Sequence, residues 1–228
     1  MLNEFKKDMN KLKNPKKAKL LSGFFKTGKG EYGEGDVFLG IMVPQQREVS
    51  KKHRYLSLND LQVLLNSKIH EYRLTALFIL IYQYQKAGNK KAIVNFYLKN
   101  TKNINNWDLV DLSAPRILGD YLISKDRKIL YKLAKGHLWD KRIAILATFA
   151  FIAKKDFNDS LRIAEILLKD KHDLIHKAVG WMLREIGKRD RITEEKFLKK
   201  HCKNMPRTML RYAIEKFDEK KRGFYLKQ

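Results

Sequence analysis

The chain of 228 residues carries 49 Lys+Arg against 25 Asp+Glu, a formal net charge of +24, with 44% apolar residues. This length and apolar content give one or two domains with a sizeable buried core and exclude intrinsic disorder. A charge excess of this size repels itself, so the chain calls for a polyanionic partner, either nucleic acid or an anionic membrane surface.

The first residues, Met1-Leu2-Asn3-Glu4-Phe5-Lys6-Lys7, hold no apolar stretch of signal-peptide length. No stretch approaches the roughly 20 apolar residues of a membrane span. The single cysteine, Cys202, excludes an internal disulfide framework and a Cys-rich zinc site. The expectation is a soluble, cytoplasmic, monomeric protein facing nucleic acid, not a membrane. Six of the 12 glycines fall between Gly23 and Gly40. The Gly28–Gly35 stretch follows no strand, so it is a poor phosphate loop and reads as a flexible connection that lets backbone approach a ligand. Three of the four prolines, Pro15, Pro44, Pro115 and Pro206, sit where a helix could begin.

Beyond residue 44 one helical pattern follows another, and the fold class is all-α. Long apolar helices open near Ile69, Asn106, Leu138, His172 and Pro206, at spacings of 37, 32, 34 and 34 residues. Each of the first four is followed by a shorter Lys-rich segment: Asn89–Lys99, Arg127–Lys135, Phe157–Lys169 and Thr193–Lys203. A two-helix unit on that period predicts an α-solenoid of HEAT-like repeats, as opposed to an irregular bundle. It is expected to form one domain over 1–228, with 1–43 contributing N-terminal helices and the Gly-rich loop. The long helices are expected to line a concave basic groove through Arg73, Arg142, Lys177, Arg184 and Arg211.

Most catalytic signatures are missing. His172 and His176 are four apart on a helix, yet nothing beside them completes a metal site, so they read as capping or solvent-facing residues; no metal and no cofactor is expected. The pair His201-Cys202 shows no activated thiolate. One constellation stands out in Asn106–Pro115. Trp107 and Asp111 share a helical face, and Pro115, four beyond Asp111, cannot donate to its carbonyl and should open the helix there. Taken alone, Trp107 reads as core and Asp111 as the partner of an arginine. The repeat changes that weighing: Trp107 to Arg142 is 35 residues and Arg142 to Trp181 is 39, about one period each. Trp139 reads as packing between helices.

Four segments then resemble the AlkD-type alkylpurine DNA glycosylases, HEAT-like DNA alkylation repair enzymes. They are GKGEYGEGDVFLGIMVPQQR at Gly28–Arg47, NWDLVDLSAPRILGD at Asn106–Asp120, LWDKRIAIL at Leu138–Leu146 and HKAVGWMLR at His176–Arg184. The resemblance implies Asp111 as catalytic carboxylate, with Trp107, Trp181 and Arg142 around the reacting sugar. It implies DNA contacts from Arg142, Pro44, Arg47 and Tyr32; Lys177 and Arg184 are expected to join them from their place on the concave long helices. It further implies a monofunctional hydrolase that releases cationic N3- and N7-alkylated purines from double-stranded DNA without a base-flipping pocket. The competing reading is a non-catalytic basic HEAT-like module that binds nucleic acid by shape and charge; a third is a scaffold for an acidic protein.

Overall fold

The computed structural model describes all 228 residues. Helices make up the chain, and extended pairing is confined to one parallel bridge between Val37 and Ile69. None of the helices is long and apolar enough to cross a membrane. The chain divides into two compact units, Met1–Ser113 and Ala114–Gln228.

In the first unit α1 (Leu2–Lys11) buries Phe5 and Met9, one turn apart. Helix α2 (Pro15–Phe24) starts on a proline, is capped by the Asn14 side chain, and buries none of its residues. Residues 25–42 form turns, not a helix, and lead to α3 (Val43–Lys52) and α4 (Leu58–Leu65), the latter opened by a Ser57/Asp60 capping box. The centre is α5 (His70–Lys86), with 13 of its 17 residues buried. A helix apolar all round needs neighbours all round, and α5 packs against α3, α4, α6 (Lys90–Lys99) and α7 (Trp107–Ser113).

The buried carboxylate of Glu71, in the first turn of α5, fixes the preceding loop. It accepts from the backbone N–H of Leu39 (3.0 Å), Gly40 (2.8 Å) and Ile41 (3.2 Å). Three successive amides can converge on one carboxylate because Gly40 adopts φ +82°, where a side chain would also strike the Asn14 carbonyl.

The second unit begins with a π-helical turn, Pro115–Gly119, in which the Gly119 N–H bonds the Ala114 carbonyl five residues back. The helix thus opens at Pro115, as its missing N–H requires. There follow α8 (Asp120–Leu122), α9 (Lys128–Leu133), α10 (Leu138–Ala147) and α11 (Phe149–Ala153). Beyond these come α12 (Asn158–Leu167), α13 (Asp173–Gly187), α14 (Arg191–His201), α15 (Arg207–Ala213) and α16 (Glu219–Leu226). Successive long helices are neighbours, α10 against α13 and α13 against α15, with α9, α12 and α14 packed beside them. This is the two-helix repeat read from the spacing. The approach of α13 to α15 is close because Gly180 has no Cβ, which would sit 2.4 Å from the Met209 carbonyl oxygen.

Helix starts match the sequence reading to within two residues: Ile69, His172 and Pro206 are the N-caps of α5, α13 and α15, and α14 opens at Arg191 under the Asp190 cap instead of at Thr193. The Gly28–Gly35 stretch, read as a flexible connection, folds on itself: the amides of Gly28 and Gly30 donate to Glu31 and Glu34, each at 2.8 Å.

One buried acid in the second unit sets a pH dependence. Glu194 is 1% exposed and its Oε1 has no partner. Burial raises its pKa to about 8; Arg191 and Arg184 pull the other way, and Glu195 adds to the rise. A carboxyl that binds its proton more tightly when folded stabilises the fold fully below its unfolded pKa. That contribution is lost as pH rises from the ordinary carboxylate range through about 8. Glu194→Gln is therefore expected to match wild type near pH 5 and to melt higher at pH 8.5, by about 2–4 °C per kcal/mol recovered. Thermal melts at the two pH values check the sign.

Candidate active site

Helix α7 is short, and its faces differ. Asp108, Leu109, Val110 and Ser113 are buried, while Trp107 and Asp111 lie together on the half-buried face, as their spacing predicts. The Asn106 side chain accepts the Trp107 N–H at 2.8 Å and starts the helix. The indole of Trp107 stacks on Phe25, with centroids 5.3 Å apart at 15°, and meets Phe24 edge-on at 5.9 Å. Asp111 sits one turn on. Beneath α7, Ser113 donates to the Leu109 carbonyl (2.6 Å), so the Tyr97 hydroxyl donates to Ser113 (3.0 Å). Burial pushes the Tyr97 hydroxyl far above the ordinary phenol range, Ser113 opposes this, and the negative charge of Asp111 adds to it.

In the second unit Arg142, on α10, is 4% exposed, and its Nη1 donates to the Leu174 carbonyl of α13 at 2.5 Å. The guanidinium is held by packing and a carbonyl, so it has one defined placing. Trp181 is half-buried on α13; its Nε1 donates to Glu185 (3.3 Å) and its ring lies 6.3 Å from Phe149. Glu185 is itself bound by Lys188 (2.5 Å) and Arg189 (3.1 Å). Burial works against its charge, yet these two cations hold Glu185 below the usual carboxylate range. Trp181 is thus oriented by an ionised group. On the same helix Lys177 pairs with Asp173 at 2.7 Å, and Arg184 pairs with Glu215.

A family model of DNA alkylation repair enzymes matches residues 5–217. The chain belongs to the DNA alkylation repair enzyme family. Among solved structures, the chain is similar to a predicted DNA alkylation repair enzyme from Enterococcus faecalis, with a TM-score of 0.70 and 18% sequence identity. The alignment covers 91% of this chain and 97% of that one, and it shows a shared fold. Comparison with curated proteins gives no match.

Within this DNA alkylation repair enzyme, the residues singled out from sequence fall in two groups. Trp107 and Asp111 share a face of α7 in the first unit; Arg142 and Trp181 lie on α10 and α13, which pack together in the second. Pro44 and Arg47 are exposed at the start of α3, with the Arg47 guanidinium 4.3 Å over the Phe78 ring, and Tyr32 is half-buried in the glycine-rich turns. Arg73 requires a correction. Expected on a solvent-facing groove, it is 3% exposed, donating to Asp36 (2.6 Å) and to the Ser67 carbonyl (2.7 Å). A buried guanidinium with those partners holds the fold together and is withheld from a polyanion. His172 caps α13 by accepting the Leu174 N–H, and His176 bonds the Asp170 carbonyl, so neither points to a metal.

Sequence reasoning missed the aromatic pair Phe24-Phe25 behind Trp107, the role of Glu185 behind Trp181, and the buried His70. Signals existed for two of them: two adjacent aromatics close the helix before the glycines, and Glu185 is one turn beyond Trp181.

Proposed function

We propose that the protein is an AlkD-type alkylpurine DNA glycosylase, a monofunctional hydrolase of the N-glycosidic bond of N3- and N7-alkylated purines in duplex DNA, with Asp111 as its catalytic carboxylate. The observation that carries this reading is the pairing of an indole and a carboxylate on one half-buried face of α7, immediately before a π turn, in a chain of net charge +24. Membership of the DNA alkylation repair enzyme family supplies DNA as the substrate.

The chemistry suits one carboxylate. An N-alkylated purine already carries a positive charge, so it leaves without protonation. The C1′–N bond breaks, its electron pair passes to the base and cancels that charge, and the sugar becomes oxocarbenium-like. Asp111 stabilises the sugar cation and orients the water that adds to C1′, the proton of that water passing to the carboxylate and then to solvent. At about 4 Å and an effective dielectric near 20 the attraction is roughly 4 kcal/mol before desolvation. The face of Trp107, on the same helix face as Asp111, favours the same developing charge by about 0.5–2 kcal/mol. Arg142 is 4% exposed with its Nη1 on the Leu174 carbonyl, so it braces α10 against α13, and the phosphate contact falls to the exposed Arg47.

The test is direct. Purified protein is incubated with duplex DNA carrying 7-methylguanine, and free base is measured by chromatography. Release of 7-methylguanine together with abasic sites supports the reading. Binding without release would favour a non-catalytic basic module instead.

A further inference from the structure

The buried residue between Trp107 and Asp111 is Asp108, and its carboxylate has two partners. Oδ1 accepts the Leu109 N–H at 2.8 Å within α7, and Oδ2 lies 2.8 Å from Nε2 of His70 at the start of α5. The other ring nitrogen of His70, Nδ1, is 3.3 Å from Asp36 Oδ2, and Arg73 Nη2 donates to that same oxygen at 2.6 Å. All four side chains are under 10% exposed. Ionised carboxylates only accept, so an imidazole facing one at each nitrogen must donate from both and is therefore an imidazolium. The quartet then holds two negative and two positive charges and is balanced without solvent.

The ring of His70 also reaches α7 by a second route. It stacks on Phe38 (4.6 Å, 21°) and lies 4.8 Å from Phe25, and Phe25 stacks on Trp107.

We propose that His70 and Asp108 are positioning residues for base excision: their buried contact locks the first turn of α7 and so places Trp107 and Asp111. This rests on the glycosylase reading above. The charged groups acting on His70 are Asp108 from α7, Asp36 from the loop before the bridge and Arg73 one turn along its own helix; Phe25 and Phe38 cover its ring. Burial opposes the imidazolium, but Asp108 and Asp36 outweigh both burial and Arg73 and lift the pKa to about 9. A group with a raised folded pKa gives up its contribution as pH climbs through that value. Above it the neutral ring donates to Asp108 or to Asp36 but not to both, the two carboxylates face each other with Arg73 as their one cation, and the lock loosens.

The experiment is single-turnover release of 7-methylguanine from duplex DNA with protein in excess, between pH 6 and 10, for wild type, His70→Ala, His70→Gln and Asp111→Asn. DNA affinity is followed by fluorescence anisotropy. His70→Ala is expected to slow release roughly tenfold or more, since small misplacements of reacting groups are costly, with little change in affinity. His70→Gln keeps an N–H for Asp108 but brings no positive charge between the two carboxylates, so at every pH it should hold the reduced rate that wild type reaches above pH 9, still faster than His70→Ala. It should also lack the fall near pH 9 that wild type shows. The lesion's own ionisation is common to every variant and cancels in the ratio. Coincident pH profiles for wild type and His70→Gln, or an undiminished rate in His70→Ala, would overturn the proposal. Should that happen while Asp111→Asn is inactive, the glycosylase reading survives and the positioning role alone falls.

A second measurement needs no activity and no alanine variant. The Trp107 indole N–H resonance, assigned by its loss in Trp107→Phe, should titrate with the His70 midpoint in wild type and stay flat in His70→Gln. An indole signal that ignores His70 overturns the proposal whatever the enzyme releases.

Discussion

Asp111→Asn is expected to abolish release of 7-methylguanine, lowering the single-turnover rate by about 10³-fold, while duplex binding changes little. The magnitude follows from the charge removed: roughly 4 kcal/mol of gross attraction to a sugar cation, at about 1.4 kcal/mol per tenfold in rate. Asparagine has the shape of aspartate and keeps an acceptor oxygen, so α7 and its packing on α5 are left in place and the loss is electrostatic. Binding is dominated by phosphate contacts from cations, which an exchange of Asp for Asn leaves intact and even favours. The readouts are base release with protein in excess, and affinity measured separately at two salt concentrations. A variant that releases base like wild type would remove Asp111 from the chemistry and return the α7 face to a packing role.

The largest effect on stability is expected at Glu71. Glu71 is 1% exposed, and its carboxylate receives the N–H groups of Leu39, Gly40 and Ile41. Hydrogen bonds to a charged group contribute about 1.5–3 kcal/mol each, and a buried donor left unmade costs about 1–3 kcal/mol. Glu71→Ala strands three such donors and leaves a void at the start of α5. The expected loss is about 4 kcal/mol or more, at the upper end for a single substitution. Glu71→Gln keeps one accepting oxygen but sets an NH2 group against the amides, and should lose about 2–3 kcal/mol. Urea unfolding checks both: the midpoint should fall with the slope unchanged, because the surface exposed on unfolding stays the same. A midpoint within error of wild type for Glu71→Ala would show that the loop has other support.

The contrast between Glu71 and the helix starts explains how far the sequence could be read. Ile69, His172 and Pro206 mark helix openings because capping and proline chemistry act within a few residues of chain. The crowding of apolar residues along α5 likewise announces a helix buried on every side. Trp107 and Asp111 were readable as a pair because i and i+4 share a face by geometry alone, and Pro115 signalled the helix defect that followed. Glu71, His70 and Asp36 gave no such signal. Their partners lie 30 or more residues away, and nothing in local spacing distinguishes a carboxylate that gathers loop amides from one in water. Arg73 was misread for the same reason: its partner Asp36 becomes visible only when the loop is folded back onto α5. Arg142 shows a related limit. Its place in the repeat could be counted, but its burial depends on Leu174, supplied by the next long helix.

Helix α2 has a consequence of a different kind. It buries none of its side chains, and Leu20 and Phe24 stand 73% and 64% exposed. Opening that helix uncovers little apolar surface, chiefly Ala18, Leu21 and the edge of Phe24 against Trp107, so its amides should exchange with deuterated solvent through local fluctuations. The amides of Leu39, Gly40 and Ile41, in a segment without regular structure, are held by an internal carboxylate and should exchange only when the first unit unfolds as a whole. In this part of the molecule, order follows burial and charge instead of helical form: a loop belongs to the most durable part of the unit, and a well-formed helix to its most yielding.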